Sequence, residues 1–95
     1  MAFKTIFSKE AIEDIKDIMD ITSNPAYRKQ FRKELNQKMK QLEKYPESAP
    51  LVYKNVRVAV FLKAPFKILY TLTQPIVYII GIWHQRRGEQ WKDRL

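Results

Sequence analysis

Cysteine is absent from the 95 residues, which excludes a disulfide framework and a thiolate metal site. Glycine occurs only twice, at Gly81 and Gly88, too few and too late in the chain for a glycine-rich loop that cradles phosphate. Histidine occurs once, at His84, so a metal site built on imidazoles is excluded. A Ser-His-Asp arrangement would have to use that one ring, and no strained GxSxG nucleophile turn accompanies it. Long apolar runs are missing too. The most hydrophobic stretch is broken by Lys63, Pro65, Lys67 and Pro75, and nothing in it spans a bilayer. The N-terminus lacks the basic, apolar and small-residue order of a secretory signal, and the cytoplasm is the expected location. No cofactor and no metal is expected.

What the chain has in excess is positive charge. Its formal net charge is +8 and its pI about 9.8. Residues 1–50 carry ten basic against eight acidic side chains, and residues 51–95 carry eight against two. Such a balance points to an acidic counterpart: nucleic acid, an acidic protein or an anionic surface. Apolar content of 45% with 29% charged residues is that of a folded protein, and the length allows one domain, residues 1–95, with one core.

The segment Met1–Phe7 alternates as a short strand that joins a later sheet. Ser8 is a helix N-cap, and Ile12, Ile15, Met19 and Thr22 recur at helical spacing with an acidic outer face, giving a helix over about Lys9–Thr22. Asn24-Pro25 ends it and starts the next, because proline is at home in the first helical turn. Tyr27, Phe31, Leu35, Met39, Leu42 and Tyr45 form the apolar stripe of this second helix. Opposite them stand Arg28, Lys29, Arg32, Lys33, Lys38, Lys40 and Lys44, with Glu34 and Glu43 as the only acids. So short a link implies an antiparallel helical hairpin. The basic face reads first as a solvated surface, and next as a phosphate-tracking stripe or a dock for an acidic partner.

After a turn-rich connection, Leu51–Asn55 reads as a strand start or a loop. Val56–Arg87 then carries three strands separated at Ala64-Pro65 and at Thr73-Gln74-Pro75, an antiparallel meander. Val56, Val58, Val60 and Leu62 share one face of the first. The last, Ile76–Trp83, is apolar on both faces, as a central strand is. It ends in His84-Gln85-Arg86-Arg87, one imidazole and two guanidiniums at a strand end. The tail after Gly88 allows one helical turn anchored by Trp91.

These groups contain what metal-free RNA cleavage requires. A base must take the 2′-hydroxyl proton, cations must hold the phosphorane charge, and an acid must protonate the leaving oxygen. His84, Arg86, Arg87, Lys63, Lys67, Arg57, Tyr70 and Tyr78 include all three types, and arginine's planar fork suits phosphate. The same cations at a strand end also serve simply as a soluble sheet edge.

Three stretches carry a resemblance to a known family. They are FSKEAIEDIKDI with YRKQFRKELNQKMKQLEKYPESAP, then VRVAVFLKAPFKILYTL, and finally VYIIGIWHQRR. Across nearly its full length the chain resembles the RelE/ParE superfamily of toxins from type II toxin–antitoxin and plasmid stabilisation systems. The resemblance implies an α+β fold, with an N-terminal helical hairpin packed on a twisted antiparallel sheet of about four strands. It implies growth inhibition and a cognate antitoxin that wraps the toxin with an extended acidic segment, free toxin being a possible dimer or part of a hetero-oligomer. RelE-like members cut messenger RNA on the ribosome, whereas ParE-like members inhibit DNA gyrase. Lys67 stands where the family has a basic residue after the turn, Arg86 where the post-strand arginine falls, and His84 fits the ParE-like ending. If the chain is a ribonuclease, His84, Arg86 and Lys67 are its catalytic trio, with Arg57, Lys63 and Arg87 binding target or phosphate. The lysines that RelE carries before the turn fall here on or near Val58 and Val60, and its C-terminal tyrosine is replaced by the region of Trp91. These departures favour the ParE-like, gyrase-binding branch. Phe61, Leu69 and Trp83 are expected to leave apolar area for the antitoxin on the sheet face away from the helices.

Overall fold

A computed structural model describes residues 3–95. Its elements in chain order are β1 (Lys4–Phe7), α1 (Lys9–Ile21), α2 (Pro25–Lys44), β2 (Leu51–Tyr53), β3 (Val56–Val60), β4 (Phe66–Thr73), β5 (Ile76–His84) and a 3₁₀ turn, Gln90–Arg94. Of the Met1–Phe7 segment expected as a strand, residues 1 and 2 lie outside the described residues. Both helices start as the sequence predicts. Ser8 Oγ accepts from Ala11 N at 3.0 Å, and Asn24 Oδ1 accepts from Ala26 N at 2.9 Å with Pro25 in the first turn.

The fold is α+β, two helices on one face of a five-stranded sheet ordered β1-β5-β4-β3-β2. The sheet is mixed, not the all-antiparallel one of about four strands that was expected. β1 runs parallel to β5, pairing Lys4 with Ile76 through Phe7 with Ile79, because the helical hairpin carries the chain away before the meander returns beside it. Leu51–Tyr53, open between strand and loop in the sequence, is an edge strand paired with β3. The turn between them holds Lys54 at φ 51°, in the left-handed region.

Two apolar clusters sit on the two faces of this sheet. Under the helices, Ala11, Phe31, Leu35 and Leu42 meet Ala59, Phe61, Phe66, Ile68, Tyr70, Val77, Ile79 and Ile82. Phe31 is the hub, with ring centroids 5.8 Å from Phe61 and 5.4 Å edge-on to Phe66. On the far face Val56, Val58, Leu69, Ile80 and Trp83 are covered by Trp91 of the C-terminal tail. The two faces swap phase within β5. The register passes from Leu69 opposite Gly81 to Tyr70 opposite Ile79, leaving Ile80 as the extra residue of a bulge. That is how Val77, Ile79 and Ile82 all face the helices while Ile80 and Trp83 face the tail.

Three carboxylates complete the frame. Beyond Phe7, β5 has no neighbouring strand on that side, and side chains replace it. Asp14 Oδ2 accepts from Ile82 N at 3.1 Å, and Arg94 donates to Ile80 O at 3.1 Å. Arg94 also grips Asp14 with both guanidinium nitrogens, at 2.6 and 3.0 Å. A Cβ at Gly81 would lie 2.7 Å from Arg94 Nη1, so a larger residue there would push the guanidinium out of its place against Asp14. Glu34, read from the sequence as part of the solvated face of the second helix, is buried. It accepts from Leu62 N, Lys63 N and Ala64 N at 2.8, 3.1 and 2.6 Å and so pins the β3–β4 turn to α2. Glu43 turns towards the sheet and accepts from Thr5 N at 3.0 Å. Asp14, early in α1, is buried for the same reason: unpaired backbone donors need acceptors.

Candidate functional site

At the end of the molecule where β5 finishes, the last turn of α1, the α1–α2 link and the first turn of α2 stand opposite the start of β4. Between them lies a cleft of about 660 Å³. Ile18, Ile21, Tyr27, Pro65, Phe66 and Ile82 give it apolar walls, and Asp17, Asn24, His84 and Arg87 give it polar ones. Ile21 is 85% exposed, an apolar side chain left at the rim and uncovered among the described residues. This is the shape expected of a binding site: a concave apolar surface with a few convergent polar groups.

His84 is held at the last position of β5, paired with Phe66. Its ring stands edge-on to Phe66 at 5.5 Å, and its Nδ1 accepts from Arg86 N at 3.0 Å. With Nδ1 so engaged, Nε2 is the nitrogen left to meet a ligand. Arg87 is exposed, yet it is fixed by stacking 3.6 Å from the Trp83 ring. The indole is itself held by donating to Gly88 O at 2.7 Å. A guanidinium stacked in this way keeps its donor edge free for a carboxylate or phosphate.

The other residues singled out from the sequence are not gathered here. Lys67 pairs in register with Trp83 and so leaves the far face of the sheet, whereas His84 sits on the helix face. The Glu89 carboxyl, on the far side with it, is held below the usual carboxylate range, first by a hydrogen bond from Lys92, with Lys67 adding a smaller attraction. Arg86 is exposed in the turn after β5 and meets His84 through its backbone N–H. Lys63 is exposed on the turn that Glu34 pins. Arg57 is committed to the fold. Its guanidinium donates to Ala49 O at 2.7 Å, and its cross-strand partner Tyr70 donates to Pro46 O at 2.7 Å. Burial raises the Tyr70 phenol above its ordinary pKa, which keeps the donor in place.

The apolar trio expected to be open is closed. Phe61, Leu69 and Trp83 are 2%, 0% and 2% exposed. Phe61 points to the helices, against Phe31, and the other two lie under Trp91. The tail forms the helical turn read from the sequence, and its anchor Trp91, with Tyr53 edge-on beside it, seals that face. Among the described residues no group of three or more His, Asp or Glu side chains is placed to hold a metal ion, and no helix is long and apolar enough to cross a membrane.

Residues 5–88 match the model of the ParE toxin of the type II toxin–antitoxin system parDE. The chain belongs to the ParE toxin family. No curated protein sequence matches it. In fold it is similar to a chain of the chromosomal ParDE toxin–antitoxin system from P. aeruginosa. The TM-score is 0.73 at 17% identity, over 87% of this chain and 96% of that one. It is also similar to the isolated E. coli RelE toxin, with a TM-score of 0.62 at 15% identity over 98% and 94% of the two chains. As a ParE-type toxin of a type II system it has an antitoxin for a partner. The cleft described above lies within the matched span, from Asp14 to Arg87.

Proposed function

We propose that this toxin arrests growth by binding DNA gyrase, through the cleft at the end of β5, and that its antitoxin prevents that contact. The observation that carries the reading is the separation of His84 from Lys67 by the sheet itself. General acid–base cleavage needs its groups within about 3 Å of the same reacting atoms, and here two of the three candidates leave opposite faces. What stands together instead is an apolar cleft with Arg87 stacked and His84 Nε2 free at its mouth, equipment suited to gripping a protein segment. Arg87 takes a carboxylate in this scheme, and Ile21, Tyr27 and Phe66 receive an apolar side chain.

The test is supercoiling by purified gyrase in the presence of the purified chain. Inhibition by the parent, weakened by Arg87→Ala and by Ile21→Asp, is the expected outcome. Undiminished supercoiling at toxin concentrations well above those of gyrase sinks the reading. A RelE-like ribonuclease is the second reading, favoured by one detail: His84 Nε2 and the Arg86 side chain share an exposed turn. Messenger cleavage on ribosomes, abolished by His84→Ala and by Arg86→Ala, would establish it.

A further inference from the structure

We propose that the outer face of α2 is a docking surface for the phosphate backbone of duplex DNA. This goes beyond the gyrase reading and fails separately from it, since it concerns a pair of molecules without gyrase. The face opposite the buried Phe31, Leu35 and Leu42 carries Lys29, Arg32, Lys33, Lys40 and Lys44, all exposed. Lys29, Lys33, Lys40 and Lys44 follow the helical repeat and fall on one line. From Lys29 to Lys44 that line is about 22 Å long at 1.5 Å per residue, roughly the run of six base pairs along a duplex.

The helix does contain acids that could have neutralised this line, and the fold uses both. Glu34 is buried against the amides of residues 62–64, and Glu43 turns to Thr5 N. Gln30, Asn36, Gln37 and Gln41 fill the remaining outward positions without adding charge. The face is therefore a rod of one sign.

Its chemistry selects among acidic partners. A protein interface needs apolar or aromatic anchors at its centre and is poor in lysine, and this line has lysines and no anchor. Single-stranded nucleic acid is held by stacking bases on aromatic rings. The aromatic residues of α2, Tyr27 and Phe31, lie off the line, Phe31 in the core, and Tyr45, exposed just past the helix end beneath Lys44, offers a single ring where a strand of bases needs several. A regular row of phosphates asks for cations at regular spacing and nothing else, which is what the face supplies. The neighbouring α1 exposes Glu10, Glu13, Asp17 and Asp20, so a duplex is steered onto α2 and away from α1.

The experiment is a titration of a fluorescently labelled duplex of about two turns with the purified chain, followed by anisotropy at several salt concentrations. If all five cations meet phosphates, log K falls against log salt with a slope of about −4.5, an affinity loss of roughly 500-fold between about 50 and 200 mM salt. Lys33→Gln/Lys40→Gln should reduce that slope by about 2, as should Lys29→Gln/Lys44→Gln, so a folding defect in one pair leaves the other to decide. Lys9→Gln, an equal loss of charge per residue on α1, should leave the slope unchanged. A salt-independent affinity, a slope the same in parent and both double variants, or tighter binding to a single strand of equal length overturns the proposal. So does loss of antitoxin affinity in these variants when the parent has no affinity for the duplex, because the face is then a dock for an acidic protein.

Discussion

Glu34 offers the sharpest test of how this fold is held. Its carboxylate is 6% exposed and faces three backbone N–H donors at the β3–β4 turn, with Gln30 contributing a long fourth contact. Burial on its own would raise its pKa, and the amides of Ala64, Lys63 and Leu62 outweigh burial, so the group stays below the ordinary glutamate value. Each hydrogen bond to a charged group is worth about 1.5–3 kcal/mol. Simple addition overstates the loss, because Leu62 and Lys63 are exposed and water can reach their amides when the carboxylate is removed. Ala64 N is the donor left dry. One buried charge-assisted bond plus a loosened turn gives about 2–4 kcal/mol for Glu34→Ala. For a domain of this size that lowers Tm by at least about 10 °C. Glu34→Gln should fall short of this, since its amide oxygen still accepts while its NH₂ faces donors. The sign of the pH dependence follows from the lowered pKa. The stabilisation is complete above the unfolded glutamate pKa of about 4.3 and is lost as pH falls through the lower folded value. Parent and Gln variant should therefore differ by urea unfolding at neutral pH and converge in acid. A difference below about 1 kcal/mol at neutral pH, or one that persists unchanged into acid, would refute the reasoning.

Arg94→Ala removes one partner of a mostly buried pair and leaves Asp14 unpaired; a cost of about 2–4 kcal/mol and a red shift of tryptophan fluorescence, as Trp91 lifts from Trp83, are expected. Gly81→Ala places its Cβ against Arg94 Nη1 and should cost a similar amount, and most of that cost should vanish in an Arg94→Ala background. Trp91 buries its Nε1 without a partner, so Trp91→Phe should lose far less stability than the roughly 3–5 kcal/mol expected of Trp91→Ala; equal losses in calorimetry would contradict that.

The elements were legible because each is announced by local chemistry. Ser8 and Asn24-Pro25 start helices, and Pro65 and Pro75 separate strands. The double-sided apolar pattern of Ile76–Trp83 correctly marks an inner strand, covered by the helices on one face and by the tail on the other and lying between β1 and β4 over Ile76–Ile79. Pairing was not legible. A parallel neighbour leaves no turn signal, so β1 could be assigned to the sheet and not to a place in it. The buried carboxylates were half visible. Asp14 lies three residues from Ala11 and four from Ile18, on the buried stripe, and Glu34 adjoins Leu35. A composition rule that puts acids outside hides them, and only the unpaired amides of β5 and of the β3–β4 turn explain them. The site suffered most from this. Lys67 and His84 are both close to a strand end, and whether two such residues meet depends on which face each leaves, a parity that the bulge at Ile80 resets.

The same carboxylates tie stability to surface chemistry. Asp14, Glu34 and Glu43 are drawn inward by backbone donors, and Glu89 is paired with Lys92. On the cationic side, Arg57 and Arg94 are the arginines spent most fully on the fold, while Arg87 and the lysines of α2 remain at the surface. The positive charge a partner meets is therefore concentrated on α2 and at the end of β5, not spread over the molecule. Neutralising an internal acid and neutralising a surface cation should have opposite signatures. Glu34→Gln should change stability with little change in the salt dependence of binding. Lys33→Gln/Lys40→Gln should change that dependence with little change in Tm. Measuring both quantities on both variants separates the framework from the surface, and a variant of either kind that moved both together would show that α2 is not the rigid rod this division requires.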